Sequence, residues 1–402
     1  TSSLKKLGSG VLTLTGDNSF SGGIDIQAGS VLVGSTNSLG AATNAVAVST
    51  ATSLDLSGYS VTIGSLSNGA SGQGGAVTNT GAALTLTLNG TGTATFGGTL
   101  TGPVTLVKTG AGSQAFTGAT LGYTGNTTIS AGALDFTKTN FPTLAGNVSV
   151  ANGAAINFAI GGAGNYTLAE VLALRNDPSS LTKLTLGASS SLGVSVADAA
   201  TTITHDGVIA DAAVTGFSKS GPGTLVLTGT STYSGKTLVT DGILQLGNGG
   251  ATGSINLNSP IEVVGSGAIA FKRSTNLVQG VDFPAAISGS GAVIQDGLAF
   301  DFTPGATNNN RLTLSGTNTY SGGTVLRNGQ IKILDLTSVG TGAITLEKGL
   351  FDMNNLAITN KLKLGSDARL ANADNYAGSS DIPAGAKFVL DYKLPGNVAV
   401  TG

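Results

Sequence analysis

The stretch LVLTGTSTYSGKTLVTDGILQLG, residues 225–247, alternates apolar and polar positions over short runs, each closed by glycine. Alternation over three to five residues is the signature of strands rather than helices. The closing glycines suit corners that need φ > 0, which a residue without Cβ adopts at no steric cost. Strands this short are unstable singly. They hold only when stacked on equivalent strands that pair their backbones and bury Leu, Val and Ile in ladders.

The pattern recurs. Anchored on the glycine that ends each L-x-L-x-G run, copies sit at Gly16, Gly118, Gly229 and Gly316. Leucines stand two and four residues before the anchor, except in the second copy, which has Gln114 and Phe116. An aromatic follows each anchor: Phe20, Tyr123, Tyr233 and Tyr320. Next come the pairs Ile24/Ile26, Thr127/Ile129, Thr237/Val239 and Thr324/Leu326, then a turn at Gly29, Gly132, Gly242 or Gly329. Upstream, Lys6, Lys108 and Lys219 each precede a G-x-G corner, at Gly8/Gly10, Gly110/Gly112 and Gly221/Gly223. In the fourth copy the corner is expected at the displaced pair Gly289/Gly291, with residues 297–311 as part of an inserted loop.

The repeat cores are therefore 4–34, 106–136, 217–247 and 287–334, within one continuous β-helix over residues 1–402. Segments between the cores, such as Leu84 to Phe96, keep the alternation. One segment breaks it: Thr167 to Leu174 has a capping-box pattern, with Thr167 as N-cap and Glu170 three residues on. Its apolar positions fit a short helix packed on the coil and ended near Asn176 to Pro178.

At these residues the chain resembles the autotransporter-associated β-strand repeat of bacterial surface proteins. That pattern runs roughly K-x-G-x-G-x-L-x-L-x-G-x-x-x-Y-x-G-x-T-x-V-x-x-G-x-L-x-L, and Lys219 to Leu246 follows it almost throughout. The resemblance implies a right-handed parallel β-helix exported to the cell surface, usually in large adhesins or passenger domains. Because the motif is structural, it carries over no catalytic residue. With solenoid repeats of roughly 20–25 residues, the chain makes roughly 16–20 coils.

Composition agrees with a shaft. Charged residues make up 10 % and Gly numbers 63, against about 25 % charged and about 7 % Gly in ordinary domains. The 40 % hydrophobic content still allows a substantial core. A net charge of −2 without charge blocks argues against a nucleic-acid face. No apolar run reaches the roughly 18 residues of a membrane span. The chain opens at Thr1 without an initiator Met or signal peptide, as expected for a portion of something longer.

Chemistry is sparse. The single histidine, His205, lies in a strand-like segment, and no Cys is present for a thiolate or zinc site. Asp296, Asp301 and Asp352 are the candidates for a glycosidase pair, which needs carboxyls about 5–9.5 Å apart, but no acids recur in register. Asp367, Asp374 and Asp381 make residues 366–381 oxygen-rich, as calcium would require; a solvated turn is the plainer reading, so no cofactor is expected. The Thr-x-Thr pairs change position from copy to copy, which speaks against an ice-binding array. Lys6, Lys108, Lys219 and the four aromatics are read as structural: a ring capping each turn, and a lysine stem packed with its ammonium on polar partners.

The expectation is an all-β, elongated, right-handed parallel β-helix with a short inserted helix and loops. It is not an enzyme but a secreted structural protein, the shaft of a bacterial surface fibre. The partners expected are adjacent units stacked end to end, with Thr1, Val398, Val400 and Gly402 at the junction. Joining Val398–Gly402 to Thr1 recreates a repeat lead-in. The alternative is an adhesin that binds host or neighbouring cells, or glycans, through loops or a lateral face.

Overall fold

The computed structural model describes residues 2–390 except 70–71, 119, 285, 302, 304–309, 373–377, 379 and 382–388. Among the described residues the fold is all-β apart from one short α-helix, and the strands form a parallel β-solenoid of about 17 turns. It divides into two compact units: residues 1–201 with 212–222, and residues 202–211 with 223–402.

In the first unit, short strands alternate among faces, so each pairs with the strand one turn earlier and one turn later. One sheet stacks Val61–Ile63, Leu84–Leu88, Val104–Lys108, Thr127–Ile129, Val148–Val150 and Leu184–Leu186 in parallel. Register sets the core: Leu86 lies between Val61 and Leu106, and all three are buried. Burying each such side chain contributes about 1.5–3 kcal/mol. A second sheet carries Phe96, Phe116, Phe136 and Phe158 at matched positions, so their rings form an interior ladder.

Where backbone pairing is interrupted, side-chain amides stand in for it. Gln114 accepts from the Leu66 N–H and donates to the Leu66 carbonyl, both at 3.0 Å, across 48 residues of sequence. The amide thus supplies the donor and acceptor that a neighbouring strand would offer.

The one helix, Leu168–Asn176, carries the expected capping box between Thr167 and Glu170. It packs on Ser191–Val196 with Val171 and Arg175 buried. Arg175 Nη2 donates to the carbonyls of Val214, Thr215 and Gly216 at 3.1, 3.4 and 3.2 Å, clamping the helix to a returning segment. Neighbouring strands Ala133–Phe136, Ala155–Ile160, Ser191–Val196 and Phe217–Ser220 are buried on both faces. Their outer side holds a polar cluster in which Asn157 and Ser220 donate to Asp135 at 2.9 and 2.6 Å and Ser218 donates to Asn157.

In the second unit, one sheet stacks Thr202–His205, Thr224–Leu227, Ile243–Leu246, Ala268–Phe271, Ala292–Asp296, Thr324–Asn328 and Ile344–Asp352. Here ion pairs join consecutive turns: Lys236–Glu262, Lys272–Asp296 and Lys332–Asp352, at 2.7, 3.2 and 3.5 Å. With side chains 11–36 % exposed, these pairs are partly buried links between turns. The expected inserted loop falls between strands Ala292–Asp296 and Arg311–Leu314, and its residues 302 and 304–309 lie outside the described residues. The displaced G-x-G is corrected: Gly289/Gly291 lies at the corner before strand Ala292–Asp296, not at the corner that follows it. Among the described residues, no helix is long and apolar enough to cross a membrane.

Candidate functional site

The three recurrent lysines point into the solenoid. Each lies at or next to the end of a strand whose alternation carries its stem inward, and each ammonium meets the carbonyls of the glycine corner that follows. Lys6 Nζ donates to Leu7, Gly8 and Ala28 carbonyls at 3.2, 2.5 and 2.9 Å. Lys108 does the same with Gly90 and Gly110, and Lys219 with Ser220 and Gly221 at 2.9 and 2.7 Å. An ammonium offers three donors and no acceptor, which matches a corner where only carbonyls converge. Burial pushes the Lys108 ammonium down to about 8, and the Asp135 carboxylate partly offsets this.

Glycine is required at the turn closing this arrangement. Gly29 has φ +69°, and a Cβ there would lie 2.4 Å from the Gly10 carbonyl oxygen and 2.8 Å from Lys6 Nζ. The fourth copy departs from the others. Strand register pairs Gln295 with Leu326 as it pairs Lys6 with Ile26 and Lys108 with Ile129. Gln295 is buried and donates to the Asn310 carbonyl at 2.7 Å. A carboxamide therefore takes the lysine's place in the copy that carries the insertion. Sequence spacing could not find it, because the insertion separates Gln295 from its motif.

Three of the four aromatics are interior too, and Phe20 is half-buried. Tyr123, Tyr233 and Tyr320 are fully buried, and each hydroxyl bonds the threonine four residues on: Thr127, Thr237 and Thr324, at 2.5, 2.7 and 2.5 Å. Burial pushes the Tyr123 and Tyr320 phenols up despite that hydrogen bond. In the first copy the pair is Phe20 and Ile24. Both hydroxyls are missing together, so neither partner is orphaned.

The anchor glycines occupy outer corners. Gly16 faces open space, while a Cβ on Gly118 or Gly229 would lie 2.2 or 2.1 Å from the carbonyl oxygen of Gly98 or Gly207. The Gly316 amide donates to Gln279 Oε1 at 3.0 Å. Buried asparagines, which periodicity did not single out, satisfy further corners: Asn140 Nδ2 donates to Phe116 and Gly118 carbonyls at 2.7 and 3.1 Å.

The acids considered for catalysis are dispersed. Asp296 and Asp352 pair with lysines of the preceding turn, and Asp301 accepts from its neighbour Thr303. Other carboxylates staple one turn to the next: Asp55 to Thr80, Asp211 to Ser234 and Asp241 to Ser266, at 2.6, 2.8 and 2.6 Å. His205 ends a strand with its Nε2 buried and unbonded. Asp367 and Asp381 lie opposite Lys348 and Lys363 in strand register, and Asp374 falls outside the described residues. No group of three His, Cys, Asp or Glu that could hold a metal occurs among the described residues. The junction residues Thr1, Val398, Val400 and Gly402 also fall outside them.

A family model matches at residues 4–33, 106–136, 217–246 and 307–333, which take in the three lysine corners and all four aromatics. The family is the passenger-associated-transport-repeat. The four matches together cover less than a third of the chain, and the fourth begins at residue 307, beyond Gln295. An adhesin autotransporter of Brucella suis, BmaC, is 44 % identical over 87 residues, 21 % of this chain. The chain spans only 2 % of that relative's length. No solved structure matches the chain.

Proposed function

We propose that this chain is a stretch of an extracellular autotransporter-type passenger, serving as a shaft that holds binding regions away from the cell by coaxial continuation of its turns. The observation that carries the reading is the use of the recurrent polar residues. Lysines of the passenger repeats are directed inward onto the coil's own corners, their tyrosines inward onto threonines of the same repeat, and surface acids tie one turn to the next. Each turn needs only its neighbour for pairing, so such a stack extends without new design. The passenger repeats and the BmaC resemblance support an exported, surface-associated role.

The test is electron microscopy of the native material, combined with labelling of intact cells by antibody raised against this chain. Label on thin filaments at the outer surface is the expected result. Label seen only after the cells are permeabilised would refute export, and isolated end-capped particles would refute coaxial continuation. The adhesin alternative draws support from the printed name of BmaC, and it predicts attachment through defined loops or a lateral face.

A further inference from the structure

The coil that follows the passenger repeat is present twice in closely similar form, once in each unit. In the first unit it runs through Gly34–Ala41, and in the second through Leu334–Thr341. The backbone bonds correspond: Gly34 and Leu334 donate to Leu14 and Leu314 carbonyls at 2.8 and 2.9 Å, and Ala41 and Thr341 to Phe20 and Tyr320 carbonyls, both at 3.0 Å. Ser38 and Ser338 are both fully buried, and Gly40 and Gly340 both take positive φ. The coil geometry is thus satisfied by either sequence.

The surfaces differ. Where the first unit has Gly34 and Thr36, the second has Leu334 and Leu336, which are 45 % and 52 % exposed. These leucines serve no requirement of the coil, and exposing apolar surface is unfavourable. Leu336 stands on a groove of about 500 Å³, together with Thr337, Thr341, Ala357, Thr359 and Lys361. The segment over the groove is turned by consecutive left-handed residues, Asn354 and Asn355, at φ 50° and 58°. Asn360 Nδ2 ties it down, donating to Gly340 and Gly342 carbonyls at 3.1 and 2.8 Å. The groove is therefore built before any ligand arrives.

We infer that this lateral groove binds a short saccharide carrying a methyl-bearing substituent, such as an N-acetyl or 6-deoxy group. Its size falls in the range of about 300–1,000 Å³ usual for small-ligand sites. The Thr341 and Thr359 hydroxyls can both donate and accept, as sugar hydroxyls do, while the Thr337 hydroxyl donates to Asp335 at 2.7 Å and can still accept. Leu336 and Ala357 offer an aliphatic wall to the C–H face and methyl group. The inference rests on the passenger reading only in requiring that the groove face the outside of the cell.

The test is a glycan array probed with the whole chain, comparing N-acetylhexosamine- and 6-deoxyhexose-terminated oligosaccharides with unsubstituted hexoses. Binding is expected for the methyl-bearing sugars. The variant L336T/T341A, which restores residues the first unit uses in the same coil, is expected to bind about tenfold more weakly or less. Its far-ultraviolet circular dichroism should be unchanged. An array without bound methyl-bearing glycans, equal binding of unsubstituted hexoses, or undiminished binding by the variant would each overturn the inference. Capture of apolar peptides in place of sugars would also overturn it. Surface labelling of cells alongside a blank array would leave the passenger reading standing and remove only the groove.

Discussion

Removing the Tyr123 hydroxyl should cost stability, and removing the Thr127 hydroxyl as well should restore most of it. The two oxygens lie 2.5 Å apart, with Tyr123 fully buried and Thr127 1 % exposed. Tyr123→Phe leaves the threonine hydroxyl without its phenol partner, and Thr127→Val leaves the phenol without its threonine. Each orphaned buried group costs about 1–3 kcal/mol. The double variant orphans neither and nearly keeps the shape, so it should lie within about 1 kcal/mol of the parent, a coupling of at least about 1 kcal/mol. Phe20 with Ile24 in the first copy is the same apolar solution already present in the chain. Because solenoid unfolding need not be two-state, the cycle is best read by hydrogen exchange of peptides covering residues 121–136, with urea melts by circular dichroism alongside. Additive losses, with the double variant as unstable as the sum of the singles, would refute the pairing argument.

Lys108 predicts an alkaline rise in stability. Its folded value of about 8 lies below the ordinary 10.5, so between those values the unfolded chain binds the extra proton. Stability should therefore increase across that window by up to about 3 kcal/mol from this group. Tyr123 and Tyr320 act oppositely: their raised values keep protons on the folded state above about pH 10, where stability should fall. Urea midpoints measured from neutral to strongly alkaline pH should pass through a maximum, and Lys108→Met should abolish the rising limb. Arg175→Met leaves the carbonyls of residues 214–216 without their charged donor and should cost roughly 1.5–3 kcal/mol; faster exchange confined to the helix and residues 212–217 is the expected sign. Gly29→Ala forces a side chain into left-handed backbone against the Gly10 carbonyl, costing more than the roughly 1–2 kcal/mol of that conformation alone. A thermal midpoint equal to the parent's would refute that reading.

The architecture was legible because period-two alternation and recurring glycine are direct consequences of coil geometry. Leu225, Leu227, Leu244 and Leu246 are all buried, as their alternation requires. The helix was legible for the same local reason, since Thr167 and Glu170 form their capping box within one turn. Contacts set by stacking were not legible. Asp135 and Ser220 lie 85 residues apart in sequence and Gln114 and Leu66 lie 48 apart, and nothing in a local pattern pairs them. Gln295 was hidden by an insertion, which preserves strand register while destroying sequence spacing. Threonine stacking is hidden between copies, because Thr85 stacks on Thr105 of the next turn and only Thr105 lies beside a repeat core. The groove beside Leu336 was invisible because its meaning rests on matching two coils residue by residue and finding the same backbone beneath different surfaces.

Lysine and glutamine at one register position also show how this solenoid chooses between charge and neutrality. A buried ammonium is unfavourable, as the lowered Lys108 value records. It is tolerated where a tight corner turns three carbonyls inward, as Leu7, Gly8 and Ala28 do around Lys6, because three donors answer three acceptors. When the Gly297–Asn310 connection lengthens the corner, the Asn310 carbonyl takes the amide hydrogen of Gln295. A lysine there would bring the desolvation cost of a charge into a corner already served by a neutral donor. Corner length thus decides the chemistry of the residue beneath it. The interior polar groups of this chain answer to the backbone that turns above them, which leaves the lateral surface free to vary between one unit and the next.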